Sequence, residues 1–470
     1  MTLSGQHKQL PDSVVADLRA RFESKLLLPW DEEYEQTRRV WNGMIDKKPA
    51  LIVRCTGVAD VIDSVKVART HQLLVAVRGS GHNVAGSASC DGGMMIDLSL
   101  MKGIRVDPQH RTVRAQPGVQ LGELDREAQA FGLAVPGGLV SDTGIAGLTL
   151  GGGIGWLRRK YGLTCDNLLS VDLVTADGQF LTASTTEHPE LLWGIRGGGG
   201  NFGIVTSFLY QAHPVGPDVM FAFILYPADE AATILHQYRA YTREVPDEVS
   251  SMALYATVPS DDRFLTSIQG TPCLILAACY TGPVAIGQSL LQPLRTFGSV
   301  IGDLSGPQRY IEVQRMFDAE YPHGRQYYWK SLYLHTLSDS VIDTIGTYAQ
   351  DCPSPLSTID LWHLGGAISR VPSDATAISV RHPPFLLAIE SNWEDPEASD
   401  TNIEWTRDFW RAMHQFSDGE VFFNFPGFLE EGPTLLQTSF GRNYTRLLAL
   451  KQQYDPHNLF RLNHNIQPLK

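Results

Sequence analysis

The residues best placed to do chemistry lie in three glycine-dense stretches: RGSGHN at 78–83, PGGLVSDTGIAGLTLGGGIG at 136–155 and GIRGGGGNFGIV at 194–205. Glycine lets a backbone pass close to a ligand. A glycine turn at the end of a strand also leaves its N–H groups free to hold an anion such as a pyrophosphate. One such turn alone is better explained by tight packing; three in one half of the chain weigh towards a ligand. The spacing is not a Rossmann fingerprint, because GSGHNVAG at 79–86 is not GxGxxG. It is not a P-loop either, since no Gly-Lys-Ser/Thr is present. His82 lies inside the first stretch, where a lone histidine also reads as a hydrogen-bonded turn residue. The six cysteines, at 55, 90, 165, 273, 279 and 352, form no CxxC pair and no Cys/His metal spacing. They read as reduced thiols, with no metal site expected.

The elements that position these stretches follow from periodicity. Residues 12–27 have helical spacing with Asp12 as a cap. Residues 50–54 and 73–77 read as buried strands around an amphipathic helix at 58–70, a βαβ-like start that ends at RGSGHN. Short strands are expected at 94–98, 103–106 and 112–116, then a helix at 121–131. The stretch 136–155 is neither solvated loop throughout nor regular helix on its composition. Residues 171–175 and 179–182 flank an Asp-Gly pair and read as a hairpin. Past His213–Pro217 glycine thins and aromatics rise. Strands at 219–226, 251–258, 273–280, 328–335, 357–364 and 384–391 alternate with helices at 228–243, 284–297, 338–350 and 400–416. That is the pattern of an antiparallel sheet with helices on one side. A last helix lies within 441–460, and there is no internal repeat.

The 470 residues suggest two domains or two plus an appendage. A formal net charge of -13 argues against nucleic acid or an anionic membrane as partner, and the densest basic run is only RRK at 158–160. MTLSGQHKQLPDS has no apolar core of a signal peptide, and no window is apolar enough to span a membrane. A cytoplasmic location is the expectation.

Together with LTCDN at 163–167, CDGGMMIDLS at 90–99 and the terminal YDPHNLFRLNHNI, the glycine stretches resemble the vanillyl-alcohol oxidase and para-cresol methylhydroxylase superfamily. Within it the chain is similar to the berberine-bridge-enzyme-like, 6-hydroxynicotine oxidase-like group, from about Trp41 to Pro468. The resemblance implies a loop of Arg78, Gly79, Ser80, Gly81, His82 and Asn83 around the pyrophosphate of FAD. His82 would be joined through a ring nitrogen to the flavin 8α-methyl carbon. Gly138, Thr143, Gly144, Gly147 and Gly153 would run beside the isoalloxazine and ribityl chain. Asn167, Ile204 and Val205 would complete the adenine and ribityl contacts, and Asn463 would return to the flavin.

Two departures from the family matter. Relatives that attach the flavin twice carry a Cys at the position where VSDTGIAG places Val140, and Cys165 lies in another motif, so a single linkage is expected. Several relatives carry a Tyr after an Asn in the C-terminal region, whereas here the pair is Asn424–Phe425, and Phe cannot take a proton. Alternation puts Tyr328, Lys330 and Leu332 on one face of their strand and Tyr327 and Trp329 on the other. It puts Asp360 and Trp362 on one face of the next and Ile359, Leu361 and His363 on the other. Lys330 and His363 are the candidate bases, Asn424 and Tyr328 candidate catalytic residues, and Tyr321, Arg325 and Tyr328 a candidate cluster for a planar or anionic substrate.

The expected fold is α+β in two domains: an FAD-binding PCMH-type domain over 1–215, an antiparallel-sheet substrate domain over 216–425, and a segment 426–470 that returns to the first. The expected function is oxidation of a small alcohol, amine or sugar C–H by hydride transfer to flavin N5, with O2 or another acceptor taking the electrons. The alternative is a flavin-containing lyase, isomerase or cyclase with no net redox.

Overall fold

The computed structural model describes residues 1–425, 427–430 and 432–469. The chain opens with a helix over Asp12–Phe22, shorter than its spacing suggests because Glu23 at φ 53° ends it; Leu26–Leu27 then pair with the first long strand instead. That strand, β1 (Leu51–Arg54), is followed by helix α1 (Val58–His71), β2 (Val75–Arg78) and β3 (Met94–Asp97). β1 and β2 both run parallel to β3, which lies between them, so the loop after β2 leaves the sheet at its C-terminal edge. Parallel strands buried on both faces must be apolar throughout, as VAV and MMI are.

A second sheet is antiparallel: β4 (Ile104–Asp107), β5 (Thr112–Ala115), β6 (Leu168–Val174), β7 (Phe180–Ser184) and β8 (Ile204–Gln211) in the order β4-β5-β8-β6-β7. β6 and β7 form the expected hairpin. Between β5 and β6 the glycine stretch contains a short helix, α2 (Ile145–Leu150), contrary to its composition. Gly151 at its C-terminal end packs tightly against Asn424, Gly147 faces open space, and Ile145 and Leu148 supply the buried side.

The large sheet is antiparallel and has eight strands among the described residues. Its long members are β9 (Asp218–Pro227), β10 (Val249–Thr257), β11 (Pro272–Tyr280), β12 (Gln326–Leu334), β13 (Thr358–His363) and β14 (Phe385–Trp393), in the order β9-β11-β10-β13-β14-β12. Helices α3 (Ala231–Tyr241), α4 (Asp339–Gln350) and α5 (Ser399–Met413) cover one face. Alternation then divides every strand. Met220, Ala222 and Ile224 of β9, Leu332 and Leu334 of β12, and Phe385, Leu387 and Ile389 of β14 pack under those helices. Phe221, Phe223, Trp329, Trp362, Leu386 and Ala388 face the opposite way, in one core with the glycine stretches.

The chain returns through helix α6 (Tyr444–Tyr454) to clasp the third glycine stretch. Lys451 and Asp455 form a fully buried pair at 2.7 Å, and Lys451 Nζ also donates to the carbonyls of Asn201 and Phe460. Asp455 accepts from the backbone N–H groups of Leu459 and Phe460, while Asn463 donates to the Gly200 carbonyl and Asn201 to that of His464. No helix among the described residues is long and apolar enough to cross a membrane.

Candidate active site

A cavity of about 310 Å³ lies between the glycine stretches and the helix-free face of the large sheet. One wall is backbone: Gly79, Gly81, Gly144, Gly147, Gly199 and Gly200. The facing wall is aromatic, with Trp329, Trp362, Phe317, Phe422 and Phe425. Gly81 sits at φ 83°, a conformation costly for other residues, and this turns His82 into the cavity. A Cβ built on Gly147 meets no atom within 4 Å, so a side chain there would project into the open cavity.

His82 is tightly placed. Trp41 stacks on it with ring centroids 4.2 Å apart and stacks with its other neighbour, Tyr327, at 3.7 Å. Trp41 also donates from its indole to the Tyr321 carbonyl, in the segment that leads into β12. Nε2 of His82 lies 3.1 Å from Asp142 Oδ1, and the other Asp142 oxygen lies 2.8 Å from Nε2 of His323. Burial alone would raise the Asp142 carboxyl, but hydrogen bonds from His323 and His82 outweigh it and hold it below the usual carboxylate range. An ionised carboxylate only accepts, so Nε2 of His82 carries the hydrogen of this bond.

Opposite, the aromatic wall contains two carboxyl groups that sequence reasoning did not select. Glu390 of β14 and Asp360 of β13 both line the cavity and are fully buried. In the register Asp360 faces Ala388 and Thr358 faces Glu390, so the two acids are diagonal neighbours on one face. Tyr321 donates to Glu390 Oε2 at 2.7 Å, whereas Asp360 Oδ1 has no hydrogen-bond partner among the described residues. Burial pushes both carboxyls up, and the nearby Glu390 pushes Asp360 up further. The available signal was an acid in each of two otherwise apolar strands, IDLW and LLAIES.

The candidate bases lie elsewhere. Lys330 and Tyr328 point to the helix-covered face: Lys330 Nζ is 4.2 Å from the Trp410 ring centroid and 3.5 Å from Glu430, and Tyr328 donates to Glu430. Burial lowers Lys330 to about 8, but the group does not reach the cavity. His363, by the same parity, points away; its Nε2 is 2.9 Å from buried Arg159, and burial with the two neighbouring arginines keeps it neutral. Asn424 does line the cavity, where it joins two glycine segments by accepting from Gly153 N–H and donating to the Gly147 carbonyl. Tyr321 lines it as well; Arg325 instead donates to the Glu320 carbonyl.

Of the residues expected around a cofactor, Gly79, Ser80, Gly81, His82, Asn83, Gly138, Thr143, Gly144, Gly147, Ile204, Val205 and Asn463 line the cavity. Arg78, Gly153 and Asn167 do not. Arg78 is engaged in a two-pronged pair with buried Asp97, at 2.9 and 2.6 Å. A Cβ on Gly153 would strike Thr164, which closes that side. Asn167 donates to the carbonyls of Tyr161 and Leu163 and contacts His213 at 2.6 Å. Val140 lines the cavity, and Cys165 is buried outside it. The site fits FAD: Asn83 Oδ1 and Asn463 Oδ1 are buried in its wall without partners among the described residues, and the glycine backbone leaves space for a large ligand.

Residues 49–184 match the family described as FAD binding domain, and residues 421–467 match the family described as berberine and berberine like. The chain is 32% identical over 446 residues to an FAD-linked oxidoreductase of Dictyostelium discoideum, covering 93% of each. It is 30% identical to an uncharacterized FAD-linked oxidoreductase of Bacillus subtilis, covering 96% of this chain and 98% of the other. Its fold superposes on the crystal structure of 6-hydroxy-D-nicotine oxidase from Arthrobacter nicotinovorans with a TM-score of 0.85 at 28% identity, covering 95% and 98% of the two chains.

Proposed function

Because the chain belongs to the berberine-like FAD-linked oxidoreductases, a family of oxidases and dehydrogenases with the PCMH-type FAD-binding fold, we propose that it holds FAD on His82 by a single linkage and oxidises a small, flat alcohol, amine or sugar-like substrate. The observation that carries this reading is one cavity with a glycine wall and His82 on one side and aromatics with a carboxyl pair on the other. On this reading residues 1–215 and 426–470 hold the cofactor, and 216–425 face the substrate.

Bound FAD supplies a hydride acceptor at N5, and its two electrons leave to O2 or another acceptor. The chain must hold a C–H next to oxygen or nitrogen, exclude water and take one proton. Trp329, Trp362 and Phe425 provide flat apolar contact. Phe425 cannot be the base, and Lys330 and His363 do not reach the cavity. Asp360 is the residue we assign, because its Oδ1, without a partner among the described residues, is open to a substrate O–H or N–H. Glu390, held by Tyr321, sets the pH at which Asp360 can accept. Asn424 and Thr143 act as positioning residues; Tyr328 and Lys330 hold the 427–430 segment through Glu430.

The test has two arms. Acid-precipitated protein should stay yellow, with the flavin mass on the His82 peptide and Cys165 as a free thiol. Screening alcohols, amines and sugars without air should identify a substrate that bleaches the flavin. Free FAD after precipitation refutes the linkage, and substrate turnover with an unchanged oxidised spectrum refutes net oxidation in favour of the lyase or isomerase alternative.

A further inference from the structure

Resting on the assignment of FAD to His82, we propose that Asp142 and His323 form the device that installs the cofactor: Asp142 readies His82 for bond formation, and His323 passes the released proton to solvent. The geometry is built rather than incidental. The backbone around Asp142 is pinned on both sides, by Ser141 N–H donating to Asp318 at 2.7 Å and by Gln120 donating to the Asp142 carbonyl at 2.9 Å. The pinned carboxylate bridges the two imidazoles, one oxygen to each. The His82 side chain is 13% exposed and that of His323 59%, so the bridge runs from the cavity wall to the surface. Thr143 Oγ1 lies 3.4 Å from the same His82 nitrogen. Nothing in the substrate half of the cavity needs this arrangement, since the carboxyl pair lies on the other wall.

Nδ1 of His82, its lone pair exposed by the Nε2–H···Asp142 bond, forms a bond to the 8α carbon of FAD. One methyl C–H breaks and its proton leaves. The ring, now carrying positive charge, loses its Nε2 proton to the Asp142 carboxylate, which passes it to Nε2 of His323 in its Nδ1–H tautomer, and that ring releases its Nδ1 proton to solvent. Two electrons stay on FAD, and O2 takes them with the two protons as hydrogen peroxide, which restores the oxidised cofactor. A carboxylate behind an imidazole fixes its tautomer and stabilises the charge that develops on it. The oxidant is dioxygen alone, and no other protein is needed.

The full-length chain, produced with riboflavin limiting and then given FAD in air, should attach it, and the fraction of His82 peptide carrying flavin mass measures the rate. Asp142→Ala should bind FAD without attaching it, slowing attachment by at least about tenfold, as expected for loss of a charged hydrogen bond. Added formate should restore part of the rate, which a purely structural role does not predict. Asp142→Asn, which keeps an acceptor oxygen but loses the charge, should fall between Ala and wild type. His323→Gln should bind FAD normally and attach it more slowly. If Asp142→Ala does not fold, the other two variants decide. Wild-type attachment rates in both Asp142→Asn and His323→Gln overturn the proposal, as does an Asp142→Ala loss that merely tracks lost FAD binding and ignores formate. Wild-type protein that never attaches flavin to His82 takes down the parent assignment and this inference together, an outcome the variants cannot mimic.

Discussion

Replacing Glu390 by glutamine should let Asp360 act as a base at a lower pH than it does beside an ionised Glu390. Glu390→Gln keeps the size and burial of the side chain and removes one negative charge beside Asp360. The register makes the two residues diagonal neighbours across β13 and β14, a separation of about 7 Å. Two unit charges at that distance, with an effective dielectric of about 20, repel by roughly 2.4 kcal/mol. At about 1.36 kcal/mol for each tenfold change in proton affinity, that corresponds to roughly 1.7 pH units. The sign follows from the role: a base works when deprotonated, Glu390 holds Asp360 protonated to higher pH, and removing the charge lets Asp360 ionise earlier. The rate of flavin reduction, measured anaerobically by rapid mixing across a pH series, should therefore rise with pH in both proteins. Its midpoint should lie roughly 1.7 units lower in the variant, and the plateau should be shared. An unmoved midpoint would refute the coupling between the two acids; a collapsed plateau would make Glu390 itself the base.

Four further outcomes follow from the same geometry. Asp360→Asn should slow flavin reduction by about 10² or more while leaving FAD content intact, the usual size of a general-base contribution. Lys330→Met should leave the reduction rate at the wild-type value, because its ammonium lies under Trp410 on the helix-covered face; a large loss there would return Lys330 to the site. Lys451→Met should cost about 3–5 kcal/mol in urea unfolding, since it leaves Asp455 buried and charged without its partner. Gly147→Leu should lower FAD content, read as the flavin-to-protein absorbance ratio, because the added side chain projects into the open cavity.

The strands of the large sheet were legible because each is a run of apolar residues bounded by turn signals, and their two faces were legible because side chains alternate. What alternation does not tell is which face the helices cover. Tyr328 and Lys330 were chosen from the correct face grouping but from the covered side, since only the packing of α5 on β12 and β14 decides the matter. Asp360 and Glu390 were visible as acids within apolar strands, yet their approach depends on the β13–β14 register, which no local pattern encodes. The glycine loops were legible as ligand-facing backbone, while α2 inside them was not, because its burial rather than its propensity makes it a helix. Arg78 and Asn167 stand beside cavity residues in sequence but are occupied by Asp97 and by the carbonyls of Tyr161 and Leu163, bonds that no hydrophobic periodicity encodes.

The clasp of the 455–466 segment on the third glycine stretch also sets an order of events in biosynthesis. The cavity wall draws on residues from Val75 to His464, so while a ribosome is still making α6 the loops at 78–83 and 194–205 exist without the residues that close over them. The complete cavity wall therefore exists only once the 460–464 segment has been made and has docked on the glycine stretch.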